Sequence, residues 1–438
     1  MIALRIFTLL VKAFILFPFS HKHRIIIKPL LKTHNFRFSA SMQGNIKAPF
    51  IYLKKAVTFL FKKKHGLDPV FANNSVAIFD GRMITIDERY KYLISLNTVK
   101  PGFGISRENL SINDKKVRNT TFLITIILFI IISPLTLFTR TKKGTISILL
   151  IEFVEWVALI EKLRQKQCTY MYHFCAYEND SNFIAYLNRK MKIINHKIPS
   201  SNPISNHYKY LYCDNISFTA PFQKNESNFL KKNWIYKKEY NWPIENFQNL
   251  LPILKKQKTI KYDIGIMLSG FWLRVKNDHN QANQISFHSE HLLLKFLNQY
   301  VSDNPRLRLI ILLHPIEKKN ITIYNEACLF YRKYFPSIEI SIGSIDKESY
   351  EYFPIINTSL TTKSSSNIKR LFCGLKAIYA PFNYSSPFID SSSLKRISAK
   401  NKNDFFSLLN KSLNLNNEEF FSYFNIYEYH YSTYQHNS

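Results

Sequence analysis

From residue 169 onward the chain alternates between short apolar runs and segments of helical period. Thr169 to Tyr177 reads as a strand, Asn182 to Met191 as a helix, Lys192 to Ile198 as the next strand and Tyr210 to Phe218 as another. A polar stretch rich in Lys and Asn, Gln223 to Lys261, then reads as a connection between two domains. The rhythm resumes with a strand at Tyr262 to Leu268, a helix at Phe287 to Val301 and the apolar run Leu307 to Leu313. A helix at Tyr324 to Phe335 and strands at Ser337 to Ile342 and Ile355 to Thr361 follow. The last elements of the series are a helix at Asn367 to Phe372 and a strand at Lys376 to Phe382. Alternating strands and helices build parallel sheets, and a continuous apolar strand is one covered on both faces. The pattern predicts an α/β protein with Rossmann-like arrangements, ending in a polar, helical tail from Ser393.

The first half has a different texture. Thr121 to Phe138 carries no charged residue over 18 positions, the lower edge of what spans a bilayer. Pro134 is expected to kink or end that helix four residues before its close. Lys115, Lys116 and Arg118 precede the segment and Arg140, Lys142 and Lys143 follow it, so flanking charge sets no orientation. Met1 to Phe19 is apolar apart from Arg5 and Lys12, and Pro49 to Lys64 mixes lysines with aromatic and aliphatic residues. Basic, aromatic-rich amphipathic helices suit a membrane interface, with the apolar face at the acyl boundary and the cations near anionic headgroups. The expectation is a segment at 121–138 that dips into or lies against a membrane, with a true span and a buried core helix as the alternatives.

Composition sharpens this. The 60 Lys and Arg against 30 Asp and Glu give a net charge of +30, which favours an anionic partner. Length alone, 438 residues, implies more than one core. The five cysteines (Cys168, Cys175, Cys213, Cys328, Cys373) show no CxxC spacing and read as reduced core residues. Neither a Walker sequence nor a GxSxG elbow occurs. No Asp-x-Asp triplet is present to hold a divalent ion on a sugar nucleotide, and His288 and His291 are too few to form a metal site by themselves. The expectation is therefore no metal and no cofactor.

Candidate chemistry collects at strand ends, where open α/β sheets bind ligands. His314-Pro315 closes the apolar run. Thr361-Thr362-Lys363-Ser364-Ser365-Ser366 leads into a helix, whose start suits a phosphate. Ser269-Gly270 follows the first strand of the second domain and allows close backbone approach, and Arg274 just beyond can clamp a phosphate. The phosphate-binding candidates are thus Ser269, Gly270, Arg274, His314, Pro315, Lys363, Ser364, Ser365 and Ser366. Glu178 and Asp180 follow the strand from Thr169, where a carboxylate can act as a general base on an acceptor hydroxyl. For Asp180 the competing role is a helix N-cap. The candidate catalytic residues are Glu178, Asp180 and His314.

On His314-Pro315 and Ser364-Ser365-Ser366, with Gly374-Leu375-Lys376 opening the next strand, the sequence resembles bacterial GT-B glycosyltransferases of surface polysaccharide synthesis. The likeness is to the His-Pro and Ser-Ser motifs of bacterial sialyltransferase and polysialyltransferase families, and of glycerophosphotransferases acting on teichoic acids. It covers roughly residues 260–385, more weakly 169–218. It departs from these families at Lys369-Arg370, where they often carry an acidic residue.

The resemblance implies two facing Rossmann-like domains behind a hydrophobic, membrane-associated N-terminal region. The expected organisation is a basic amphipathic segment at 1–64, an acceptor domain at 65–255 containing the segment 121–138, a nucleotide-sugar domain at 256–392 and a helical tail at 393–438. It further implies a nucleotide-sugar donor whose phosphate meets the histidine and the serines without an obligatory metal, and a glycan or lipid-linked acceptor. With the basic first half, the expected location is the cytoplasmic face of the inner membrane, with an anionic membrane surface as a partner. The alternatives are a CDP-polyol phosphotransferase, a nucleotide-sugar epimerase of similar fold, or a basic membrane-associated nucleic-acid-binding protein. The last lacks any recognised nucleic-acid motif, so no nucleic-acid partner is expected.

Overall fold

The structure is a computed structural model that describes residues 2–30, 47–61, 76–79, 103–105, 110–138, 146–173, 180–198, 210–218, 231–241, 259–277, 281–364, 366–383, 387–390 and 392–430. The chain divides into two compact units. One comprises residues 1–200, 206–220 and 227–243, and the other residues 201–205, 221–226 and 244–438.

The first unit opens with three helices, α1 (Ile2–Leu16), α2 (His21–Leu30) and α3 (Ala48–Leu60). Strands β1 (Val76–Phe79) and β2 (Phe103–Ile105) precede the long α4 (Lys115–Phe138) and α5 (Leu149–Gln165). Then come β3 (Tyr170–His173), α6 (Ser181–Lys190), β4 (Ile194–Lys197), β5 (Leu211–Tyr212), β6 (Asn215–Phe218), β7 (Trp234–Ile235) and β8 (Lys238–Asn241). Six of these strands form a parallel sheet in the order β2-β1-β3-β4-β6-β8. Helix α5 is buried almost throughout, Glu152, Glu155 and Glu161 included, with Trp156 and Phe153 at its centre. Alongside it, α1, α2, α3 and α4 contribute to one core with β1 and β3.

Three local expectations change. The run Tyr210 to Phe218 splits at Cys213-Asp214, so that β5 pairs with β7 and β6 joins the main sheet. The buried Asp214 carboxylate accepts the Asn195 N–H and faces Lys237 at 3.3 Å, which fixes that break. The polar stretch from Gln223 is not a plain connection, since β7 and β8 within it belong to the first unit. Helix α4 continues past Pro134 to Phe138; Pro134 lies on the exposed side, away from the packed core.

The second unit contains β9 (Tyr262–Met267), α7 (Phe271–Asn277), α8 (Gln281–Ser302), β10 (Leu309–Leu312), α9 (Ile321–Arg332) and β11 (Ile340–Ile342). It continues with β12 (Ile356–Thr361), α10 (Ser366–Phe372), β13 (Ala377–Tyr379), α11 (Lys402–Asn414) and α12 (Asn417–Phe424). Its sheet is parallel throughout in the order β11-β10-β9-β12-β13. The chain builds outward from β9 to β11, then returns to the other side of β9 with β12. The order therefore reverses between β9 and β12, the topological switch point at which such sheets hold ligands. Both units are thus α/β structures on parallel sheets.

Arg370 explains the basic pair in α10. Its guanidinium is fully buried and donates to four backbone carbonyls: Nε to Lys376 at 2.8 Å, one terminal nitrogen to Phe353 at 2.6 Å, and the other to Asn357 at 3.0 Å and to Ile356. One side chain thus ties α10 to the entrance of β12 and to the turn before β13. Lys376, also buried, donates from Nζ to the carbonyls of Ser412 and Leu415 at the end of α11, where a cation complements the helix dipole. Replacing Arg370 by Ala leaves four buried carbonyls without their donor, and Lys cannot reproduce a planar fork. Arg370→Ala is expected to lower the unfolding free energy by roughly 3 kcal/mol or more, and Arg370→Lys to recover only part of it. Urea unfolding followed by circular dichroism checks both.

Candidate functional site

The carboxyl ends of β9, β10 and β12 lie side by side, since Leu312 and Leu360 register with Met267 and Ile266 of β9. Thr361 fastens β12 to β9: its Oγ1 donates to the Met267 carbonyl at 2.6 Å and accepts the Ser364 N–H at 3.0 Å. Three short loops leave this edge, one from each strand. They carry Ser269-Gly270, His314-Pro315 and Lys363-Ser364.

Beyond β9 the loop turns at Gly270, whose φ of +64° is a left-handed value that favours glycine. A Cβ there would also come within 3.0–3.1 Å of Ile316 and Glu317. The loop is shaped from below by Glu290 of α8. Its buried carboxylate accepts the Ser269 N–H at 2.6 Å and the Phe271 N–H at 3.3 Å. Burial pushes this carboxyl up to about 7, with the nearby Glu317 charge adding to the effect and the two N–H groups and Lys363 opposing it. The Ser269 amide expected to meet a phosphate is therefore already engaged by an internal carboxylate. Gly270 earns its place by the turn, and Ser269 by giving its carbonyl to Arg274 Nε at 3.2 Å.

After β10, His314 takes extended backbone geometry and caps the short 3-10 turn Pro315–Lys318. Its Nδ1 accepts the Ile316 N–H at 3.1 Å, while Glu317 Oε2 accepts the His314 N–H at 2.8 Å. Pro315 stands at the first position of the turn, where its missing N–H costs nothing. Glu317 is fully buried and also accepts from Trp272 Nε1 at 2.5 Å and Tyr331 Oη at 2.6 Å. Burial holds the His314 imidazole down to about 4, and the Arg274 charge adds to this. The ring is thus neutral near pH 7. With Nδ1 accepting, its proton sits on Nε2, which has no hydrogen-bond partner among the described residues. His314 is therefore a hydrogen-bond donor presented at the sheet edge.

From β12, Lys363 folds back over the Phe271 ring at 4.1 Å and donates to Ser286 Oγ at 2.7 Å. Burial draws its ammonium down to about 8; Glu290 opposes this and Arg274 adds to it. Arg274 lies 5.4 Å from the centre of the same Phe271 ring. One aromatic ring thus carries a guanidinium and an ammonium, both within electrostatic reach of the edge that holds His314. Ser364 Oγ accepts the Ser366 N–H at 3.2 Å, so the serines act locally as a cap on the seven-residue α10. Ser365 lies outside the described residues.

The structure thus gathers Ser269, Gly270, Arg274, His314, Pro315, Lys363 and Ser364 at one sheet edge, with Ser366 just behind. It does not gather the two candidate carboxylates Glu178 and Asp180 in the same way. Glu178 lies outside the described residues. Asp180 is fully buried and accepts Trp156 Nε1 at 2.9 Å. It occupies the N-cap position of α6 without a side-chain capping bond, so it is an internal anchor rather than the cap. Nearby Lys197, also buried, donates to Ser181 Oγ at 3.0 Å and Asn182 Oδ1 at 2.6 Å. The sequence reading missed Glu290, Glu317 and Phe271. The three-residue spacing of His314 and Glu317 is that of a capping box and could have flagged one of them. His291, read beside Glu290, pairs instead with the Tyr334 hydroxyl at 2.8 Å.

No family model matches the sequence, and no curated protein matches it. Solved structures give distant likenesses. An O-GlcNAc transferase mutant of Thermobaculum terrenum aligns at 9% identity and a TM-score of 0.38, covering 93% of this chain and 74% of that one. UDP-GlcNAc 2-epimerase from Neisseria meningitidis, bound to UDP-GlcNAc, aligns at 10% and 0.42, covering 82% and 96%. The UDP-GlcNAc 2-epimerase of Methanocaldococcus jannaschii, in complex with UDP-GlcNAc and UDP, aligns at 13% and 0.45, covering 79% and 95%. The fold assignment given above rests on the two parallel sheets themselves.

Proposed function

We propose that the second unit binds the phosphates of a nucleotide sugar at the carboxyl edge of β9, β10 and β12, and that the protein is a GT-B-type glycosyltransferase. The observation that carries this reading is the convergence of Arg274, Lys363 and the Nε2–H of His314 at the switch point of a parallel sheet. A guanidinium, an ammonium and a neutral N–H donor make a graded anion site. The first two supply charge, and the third supplies direction. The buried carboxylates beneath them fix the loops: Glu290 sets Ser269-Gly270-Phe271, and Glu317 sets His314 and Trp272.

In this reading the acceptor hydroxyl attacks the anomeric carbon as the bond from that carbon to the phosphate oxygen breaks. The electron pair leaves with the nucleotide, and negative charge grows on the phosphate. Groups already oriented toward that oxygen stabilise the growing charge with little reorganisation. The hydroxyl proton goes to a general base. Asp180 is not assigned that role, because its carboxylate is committed to Trp156. The acceptor is a glycan or a lipid-linked glycan.

Binding of CMP, UDP, GDP and CDP, followed by thermal stabilisation and titration calorimetry, tests the site. At least one is expected to bind the wild-type chain. Arg274→Ala should weaken that nucleotide about 10- to 100-fold, the worth of a charged hydrogen bond. His314→Ala should weaken it by about 10-fold. Binding unchanged in both variants contradicts the proposal.

A second outcome concerns pH. Lys363 carries its charge below about pH 8 and loses it above. Nucleotide affinity should therefore fall as pH rises from 7 to 9, while Lys363→Arg, charged across that range, should flatten the decline. The same titrations at three pH values check this, and a flat wild-type profile excludes Lys363 from the site.

A further inference from the structure

In the first unit, α1, α3 and α4 each pack one side against α5. On a helix bordering water the opposite side is polar, yet here large apolar residues share it with Arg5, Thr8 and Lys12 on α1 and with Lys54 and Thr58 on α3. The outward positions are Leu4, Val11 and Ile15 on α1, Phe50 on α3 with Phe61 at its C-cap, and Leu123, Ile127, Ile130 and Ile131 on α4. Phe50, Phe61, Leu123 and Ile130 are 65%, 63%, 61% and 63% exposed, and Phe19, after α1, is 84% exposed. These faces adjoin one another. Both α1 and α3 pack on α4, the Phe50 and Phe129 rings meet edge to face at 5.2 Å, and Arg118 lies 5.9 Å from the Phe61 ring centre. Exposed large apolar residues gathered on adjoining helices mark an interaction site.

Two observations identify what it meets. The threonine hydroxyls on this side are paired within their own helices: Thr8, Thr58 and Thr120 donate to the carbonyls four residues earlier, at 2.8–2.9 Å. That arrangement leaves no hydroxyl proton unpaired in an apolar medium. The charge is one-sided as well. Residues 1–67 contain 13 Lys or Arg and no Asp or Glu, and α4 adds Lys115, Lys116 and Arg118, again without a carboxylate. Lys12, Lys54, Lys115 and Lys116 are exposed beside the apolar positions.

We propose that the outward faces of α1, α3 and α4 form one surface that docks in the plane of an anionic lipid bilayer, with the lysines at the headgroups. Docking in the plane follows from the seating of α4. Ile124, Leu128 and Ile132 are buried in the core of the unit. Asp114, whose Oδ1 accepts the Lys116 and Val117 N–H groups at the start of α4, gives its own N–H to Glu161 of α5 at 3.1 Å. The helix is thus held along the unit, and lipid covers its free side.

Purified full-length chain is mixed with vesicles of phosphatidylcholine alone and of phosphatidylcholine with phosphatidylglycerol, and pelleted. The expected result is co-sedimentation with the anionic vesicles, reduced but not abolished by salt, because the apolar part is unscreened. Leu123→Asp/Ile130→Asp should lose at least 10-fold in vesicle affinity, with unchanged circular dichroism and melting temperature, since both positions face outward. Lys12→Glu/Lys54→Glu should remove the preference for anionic vesicles. Wild-type chain that stays in the supernatant with both vesicle types overturns the proposal. Vesicle binding unaffected by Leu123→Asp/Ile130→Asp does so too. A wild-type dimer dispersed by those aspartates, without vesicle binding, assigns the face to a second copy instead. Alkaline carbonate should release the chain from cell membranes; full resistance contradicts docking in the plane.

Discussion

The chemistry of the second unit depends on one constraint, that β9 lies between β10 and β12 with all three strands parallel. Parallel pairing points every carboxyl end the same way, so three loops separated by many residues in sequence emerge along one edge. The Thr361 hydroxyl, shared between the Met267 carbonyl and the Ser364 N–H, locks the β9 and β12 ends together. Arg370 then holds α10 against the base of β12, so the loop between them is fixed at both ends. The positions of Lys363 and Ser364 follow from these two anchors.

A second layer of the design is electrostatic. Two buried carboxylates lie beneath a cationic edge and each is satisfied by hydrogen bonds rather than by an ion pair. Glu290 takes backbone N–H groups of the Ser269 to Phe271 turn, and Glu317 takes an indole, a phenol and a backbone N–H. Burial raises both carboxyls, lowers His314 and draws Lys363 down to about 8. The loops are therefore stiffened by carboxyl groups that face inward. The side chains that face outward are positive or neutral donors, a polarity suited to an incoming phosphate.

Much of this was readable in the sequence because it is written in period and position. The apolar run before His314 became β10, the serine-led segment became α10, and the alternation through the second unit became its parallel sheet. What could not be read depends on partners distant along the chain. Glu290 sits between two histidines on a helix and resembles part of a metal motif, but its role appears only when α8 packs under the loop after β9. Arg370 reads in the sequence as one of a basic pair, and only burial reveals it as a brace for four carbonyls. Asp180 had the residue type and position of an N-cap, and a tryptophan 24 residues earlier in sequence took its carboxylate instead. In the first unit, period alone could not tell a half-exposed helix from a buried one, since α4 is apolar on both sides. The packing of one side on α5 separates the two.

A phosphate site at the β9–β12 switch point can be seen outright in a crystal structure of the full chain with whichever of CMP, UDP, GDP and CDP stabilises it most. Phosphate oxygens are expected within hydrogen-bonding distance of the Arg274 guanidinium and of His314 Nε2, with Lys363 close by. A nucleotide seated away from this edge, or a chain that binds none of the four, contradicts that expectation.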